Sequence, residues 1–125
     1  MKLFVLNDVD YTQHILMPTY KVQEEDVYKT WEDATYTTHK RLLRQRMKGT
    51  FTIYFDDNDE LDTFLDTLRN LELADSDNYA EAELYDNRGR TLKKSKYSFK
   101  IALVNNRPYF GKKKHDGYEV TIEEK

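Results

Sequence analysis

The strongest pattern in the chain lies between residues 41 and 55. Leu43, Met47, Phe51, Ile53 and Phe55 fall on odd positions, while Arg44, Arg46, Lys48, Thr50 and Thr52 fall on even ones. Period-two alternation rich in β-branched and aromatic residues predicts a strand with one buried and one polar face. Gly49 interrupts the run and predicts a bulge or bend. Upstream, residues 2–6 predict a short strand ended by Asn7-Asp8, and residues 11–16 predict another, stopped by Pro18. Residues 20–28 read as extended, with Tyr20, Val22 and Tyr28 on one face and Val27 on the other. Residues 30–38 carry neither a helical apolar stripe nor a consistent alternation. They are expected to form a loop or extended arm over about residues 29–40.

The periodicity changes after Phe55. Leu61, Phe64, Leu65, Leu68 and Leu71 recur at three- and four-residue spacing, which predicts a helix over about residues 58–72. Asn58 is the expected N-cap, and Asp59, Glu60 and Asp62 place negative charge in the first turn, where the helix dipole favours it. Asp62, Asp66, Arg69 and Asn70 occupy the opposite face. Strands follow at about residues 79–85 and 91–104, joined by residues 86–90, where Gly89 is expected to supply a positive φ. On the second of these, Tyr97, Phe99, Ile101 and Leu103 alternate with Lys96, Ser98 and Lys100. A turn or loop over residues 105–117 leads to a last strand at residues 118–123, with Tyr118, Val120 and Ile122 inward. The order predicts a mainly β (α+β) fold: an antiparallel β-sandwich or partial barrel with one flanking α-helix and an extended loop.

Composition supports one folded unit over residues 1–125. The mass of 15.0 kDa suits one domain, and 14% aromatic residues separate the chain from disordered sequences. Cysteine is absent, which excludes disulfides, thiolate metal sites and a cysteine nucleophile. The N-terminal apolar run is too short for a signal-peptide core, and no stretch is long enough to span a bilayer, so a cytoplasmic protein without a membrane span is expected.

The net charge of −3 conceals strong segregation. Residues 56–77 hold nine Asp or Glu against a single Arg69, whereas residues 88–114 hold ten Lys or Arg and no acid. A second basic stretch contains Lys40, Arg41, Arg44, Arg46 and Lys48. Such separation creates local fields that the net charge hides.

Candidate chemistry is sparse. His14, His39 and His115 have no ligand-like spacing, and residues 57–60 lack the glycine of a calcium loop. The four glycines are isolated, so no phosphate-cradling loop exists, and no nucleophile elbow is present. No catalytic, cofactor-binding or metal-binding residue can be nominated, and the chain is not expected to be an enzyme. The basic strand faces admit two readings, a surface that meets protein and one that meets single-stranded nucleic acid. The aromatics lie mostly opposite the Lys and Arg residues, which suits a core better than a stacking platform. Lys112, Lys113 and Lys114, with Tyr109 and Phe110 nearby, add a further basic cluster.

The succession of segments from Pro18 to Tyr28, Trp31-Glu32-Asp33-Ala34 with His39 and Arg41, and Met47 to Phe55 resembles small tail proteins of prophages from Gram-positive bacteria. The helix, residues 79–85, Asn106 to Gly111 and the closing Tyr118 to Glu124 extend that resemblance over nearly the whole chain. It implies a tail-tube-like or baseplate-like subunit whose loop at residues 30–38 reaches a neighbour. Copies of itself and other tail proteins would be its partners, in the host cytoplasm during assembly and then in the virion. No cofactor is implied. The density of basic residues departs from the acidic lumen expected of a tube, so these residues would face a neighbouring protein or a different part of the virion. The proposed contact residues are Trp31 and Tyr36 in the arm, Arg44, Arg46 and Lys48 on the long strand, Asp59, Asp62 and Asp66 on the helix, and Lys96 and Lys100 on the later strand. The alternative is a small nucleic-acid-binding domain that uses the basic strand faces.

Overall fold

A computed structural model describes residues 1–103 and 117–125. The expectations for Tyr109, Phe110, Lys112, Lys113, Lys114, His115 and residues 106–111 lie outside the described residues. Among the described residues, seven strands form one antiparallel sheet: β1 (Phe4–Leu6), β2 (Val9–Asp10), β3 (Lys21–Glu32), β4 (Thr38–Ile53), β5 (Ala80–Asp86), β6 (Thr91–Leu103) and β7 (Tyr118–Glu124). Their order across the sheet is β2-β1-β5-β6-β7-β4-β3. One helix, α1 (Asn58–Ala74), packs on the sheet. The architecture is the mainly β, partly barrel-like arrangement expected from the alternation, and the barrel is not closed.

The sheet curls because one face is apolar and must be buried. Phe4, Leu6, Met47, Phe51, Ile53, Ala82, Leu84, Tyr97, Val120 and Ile122 supply that face, and Leu61, Phe64 and Leu68 from α1 cover it. Phe64 is the central knob, with its ring 5.0 Å from Tyr11, 5.4 Å from Phe55 and 6.1 Å from Phe4. Curling also brings the β3 edge to the β5 end: Asn87 N–H donates to the Val22 carbonyl at 3.2 Å. Tyr20 Oη donates to the Tyr85 carbonyl at 2.7 Å.

Four local expectations are corrected. Residues 11–16 do not form a strand: Thr12–His14 is a 3-10 turn, and only Ile15 bridges to Ile53. The cause is local side-chain bonding, because Asp10 Oδ1 accepts from Thr12 N–H at 2.9 Å and Thr12 Oγ1 accepts from Leu3 N–H at 2.7 Å. The cap of α1 is Asp57 rather than Asn58, its Oδ1 accepting from Asp59 N–H at 2.9 Å. In the β5–β6 turn the positive φ falls on Arg90 (57°), not Gly89. Gly89 is needed for space, since a Cβ there would lie 2.5 Å from Asp86 Oδ2. The fourth is corrected only in part: of the expected loop or extended arm, the extended arm is what forms, as a continuation of β3 and β4.

Candidate functional site

β3 pairs with β4 over its whole length, from Lys21↔Thr50 to Glu32↔Thr38. β7 pairs with β4 only from Lys48 to Ile53. Beyond Met47, therefore, β3 and β4 leave the sheet as a two-stranded ribbon of roughly 26 Å, at about 3.3 Å per residue over the eight residue pairs from Glu25↔Arg46 to Glu32↔Thr38.

A bulge sits at its root. Val27 pairs with Arg44 and Tyr28 with Leu42, so Leu43 is an extra residue in β4. This resets the phase of β4. Below the bulge, odd residues such as Met47 and Phe51 are buried. Above it, register places Arg41 and His39 beside Lys29 and Trp31 on the outer face, while Leu42 and Lys40 share the core-side face with Tyr28 and Thr30. Leu43, expected to be inward, is 56% exposed.

Both ends of the ribbon are fixed by carboxylates. At the root, Asp26 accepts from Arg88 Nη1 at 2.7 Å, Gln45 Nε2 at 2.9 Å and Tyr28 Oη at 2.9 Å. The Arg88 bond comes first among the causes that hold the Asp26 carboxyl well below the usual range. At the tip, Asp33 Oδ1 accepts from Thr35 N–H and Oγ1 and from Thr37 N–H, at 2.9, 2.7 and 3.1 Å. Asp33 Oδ2 lies 2.6 Å from His39 Nε2, and that bond is the main cause of a strongly lowered Asp33 pKa. The turn thus folded displays Tyr36, 85% exposed, at a positive φ of 62°. Trp31 stacks on His39 with centroids 5.4 Å apart, and Lys40 Nζ lies 3.9 Å over the Tyr28 ring.

The result is a preorganised projection with Tyr28, Trp31, Tyr36, Leu42 and Leu43 all exposed. On its outer face, Lys29, Trp31 and Arg41 line a depression of about 450 Å³. Trp31 and Tyr36 are the arm residues that the sequence singles out; Lys29, His39, Lys40, Arg41, Leu42 and Leu43 are not among the contacts proposed from it. The turn-forming Asp-x-Thr at residues 33–35 was the available signal for a hairpin tip.

The remaining proposed contacts are dispersed. Arg44 Nη2 donates to the Lys125 carbonyl at 2.7 Å, and Arg46 pairs with Glu123 at 2.7 Å. Lys96 pairs with Asp75 at 2.8 Å, and the neighbouring Lys94 with Glu81 at 3.3 Å. The basic strands are thus interleaved with acids and form no uniform cationic face. Lys48 and Lys100 are exposed on the sheet, and Asp59, Asp62 and Asp66 are exposed on α1.

Two other features present chemistry of their own. At the end of the barrel, Glu124 Oε1 accepts from Met47 N–H at 2.9 Å and from Lys93 Nζ at 3.0 Å, and Lys93 also reaches Glu24 at 2.7 Å. Burial alone would raise the Glu124 pKa, but these donors outweigh it and leave the carboxyl lowered. The group ties β3, β4, β6 and β7 together. The second feature is a cleft of about 340 Å³ between the Thr12–His14 turn and the start of α1. Its floor contains Tyr11 and Phe55, and His14 stacks on Phe55 at 4.4 Å. Asp59 and Glu60 stand on its rim, with Glu60 3.6 Å from His14.

Among the described residues, no group of three or more His, Cys, Asp or Glu is placed to hold a metal ion. No described helix is long and apolar enough to cross a membrane. Comparison with known family models, curated proteins and solved structures finds no match for this chain.

Proposed function

We propose that the chain is a structural subunit of a bacteriophage tail or a related virion assembly, docking into a ring or stack through its ribbon. The observation that carries this reading is the ribbon itself. Its exposed Tyr28, Trp31, Tyr36, Leu42 and Leu43 are not part of the core formed by the described residues, and they are interleaved with Lys29, Lys40 and Arg41. Aromatic and arginine residues on a rigid projection are the chemistry of a protein interface centre. The tail assignment rests on the resemblance in segment order.

Sedimentation velocity over a concentration series tests the assembly. A ribbon-shortened variant, in which residues 29–41 are replaced by an Asn-Gly turn joining Tyr28 to Leu42, is the matched control. The wild type is expected to sediment as species larger than 15.0 kDa, and the shortened variant as a monomer with an unchanged melting curve. A wild type that stays monomeric at every concentration and salt level refutes assembly. Absence of the chain from purified virions of a producing host refutes the tail assignment.

A second reading, single-stranded nucleic-acid binding, is favoured by the depression lined by Lys29, Trp31 and Arg41, where an indole lies beside a pair of cations. Two phosphate contacts predict a log–log salt slope of about −1.4 for single strands. No binding at low salt ends that reading.

A further inference from the structure

A docking ribbon needs a receptor, and the candidate surfaces of this chain differ in how much of their charge is already satisfied. On the sheet, Arg46, Lys94 and Lys96 have acidic partners within the chain. At the end of α1, Asp75 and Asp77 are likewise paired, with Lys96 and Lys125. The cleft at the start of α1 is less fully satisfied: Glu60 lies 3.6 Å from His14, while Asp59 forms no ion pair among the described residues. It combines an aromatic floor, Tyr11, His14 and Phe55, with the carboxylates of Asp59 and Glu60 on an open rim, and Val9 beside them is half-exposed. Asp10, also at the cleft, is occupied by Thr12.

The outer face of the ribbon is the counterpart of this surface. It presents a flat aromatic, Trp31, flanked by Lys29 and Arg41, with no Asp or Glu at the opposed positions Lys29↔Arg41 and Trp31↔His39. We propose that the cleft between the Thr12–His14 turn and the start of α1 receives the outer ribbon face of a second copy of this chain. Trp31 packs on the Phe55–His14 floor, and Lys29 and Arg41 meet Asp59 and Glu60. Ribbon and cleft are different patches, so the contact is head-to-tail and propagates as a ring or filament instead of stopping at a two-fold dimer. The proposal rests on the docking role of the ribbon and adds the identity of its partner surface.

A reciprocal charge exchange tests it. One variant reverses the cleft (Asp59→Lys with Glu60→Arg), and the other reverses the ribbon (Lys29→Glu with Arg41→Glu). Circular-dichroism melting establishes that both remain folded. Each variant alone is expected to need about tenfold or more higher concentration to assemble, because like charges now face each other. An equimolar mixture is expected to assemble, since every ribbon then finds a cleft of opposite sign. If the cleft variant alone assembles as the wild type does, the receptor is elsewhere, and the docking reading survives provided that the ribbon-shortened variant remains monomeric. If the mixture fails to assemble while the wild type assembles, the pairing is also overturned. A wild type monomeric at all concentrations sinks both ideas together.

Discussion

Asp86 offers a direct test of what holds the sheet in its curl. It is 2% exposed, and its Oδ1 accepts from both Glu24 N–H and Arg88 N–H at 2.9 Å. One donor belongs to β3 and the other to the β5–β6 turn, so a single oxygen joins the β3 edge to that turn across the curled sheet. Asp86→Ala strands both donors. An unsatisfied buried donor costs about 1–3 kcal/mol, and both donors here are only partly buried, so a total of about 2–4 kcal/mol is expected. For a domain of this size that corresponds to a Tm loss of roughly 10 °C. Asp86→Asn keeps an acceptor oxygen and is expected to lose less than half as much. Gly89→Ala sharpens the test, because its Cβ would lie 2.5 Å from Asp86 Oδ2. That substitution is expected to cost about 1–3 kcal/mol in the wild type through overpacking. In the Asp86→Ala background most of that cost disappears, a coupling of about 1 kcal/mol or more. Urea denaturation of the four proteins measures the cycle. Equal costs of Gly89→Ala in both backgrounds, or equal losses for Asp86→Asn and Asp86→Ala, would refute the assigned role of this carboxylate.

Other expectations follow from features already described. Phe64→Ala removes a fully buried ring from the centre of the α1–sheet contact and is expected to cost about 3–5 kcal/mol in urea denaturation. The Glu124 carboxyl is lowered from 4.5 in the folded protein, so its contribution to stability is present above pH 4.5 and is lost as pH falls through the folded value. The stability gap between wild type and Glu124→Gln is therefore expected to narrow below pH 4.5; a gap independent of pH down to full acid unfolding contradicts the assignment. Trp31 is the only tryptophan and is 45% exposed, so intrinsic indole emission reports on the ribbon alone. Emission is expected to shift to the blue as concentration drives assembly, and assembly with unchanged emission would exclude the outer ribbon face from the contact.

The elements legible in the sequence are those whose periodicity is written by a shared core. Phe51, Ile53, Tyr97, Val120 and Ile122 alternate because one face of each strand is buried, and Leu61, Phe64 and Leu68 recur because α1 covers that face. The ribbon has no core on either side, so no apolar alternation marks residues 28–32 and 38–42. Its pairing is held by backbone bonds and by cross-strand pairs such as Trp31↔His39 and Tyr28↔Leu42, which a period-two search does not detect. The bulge at Leu43 compounds the difficulty. Odd numbering points inward up to Met47 and outward at Arg41 and His39, so extrapolating the stronger half of β4 misplaces the weaker half. Charge segregation was visible in sequence, but its cancellation across neighbouring strands, as in Arg46–Glu123, required the register.

The place of β7 in the sheet has a consequence for how the protein is made. β3–β4 and β5–β6 are each hairpin pairs of chain neighbours, yet β7, the last strand in chain order, lies between β6 and β4. During synthesis the two hairpins emerge first and have no hydrogen-bonded ladder between them. Only when residues 118–124 leave the ribosome are the open edges of Lys48–Ile53 and Tyr97–Leu103 joined. Until then each hairpin carries a free apolar edge of the kind that pairs with other nascent chains. Such late, long-range closure predicts slow folding for a chain of this length and makes truncation before Tyr118 a route to aggregation.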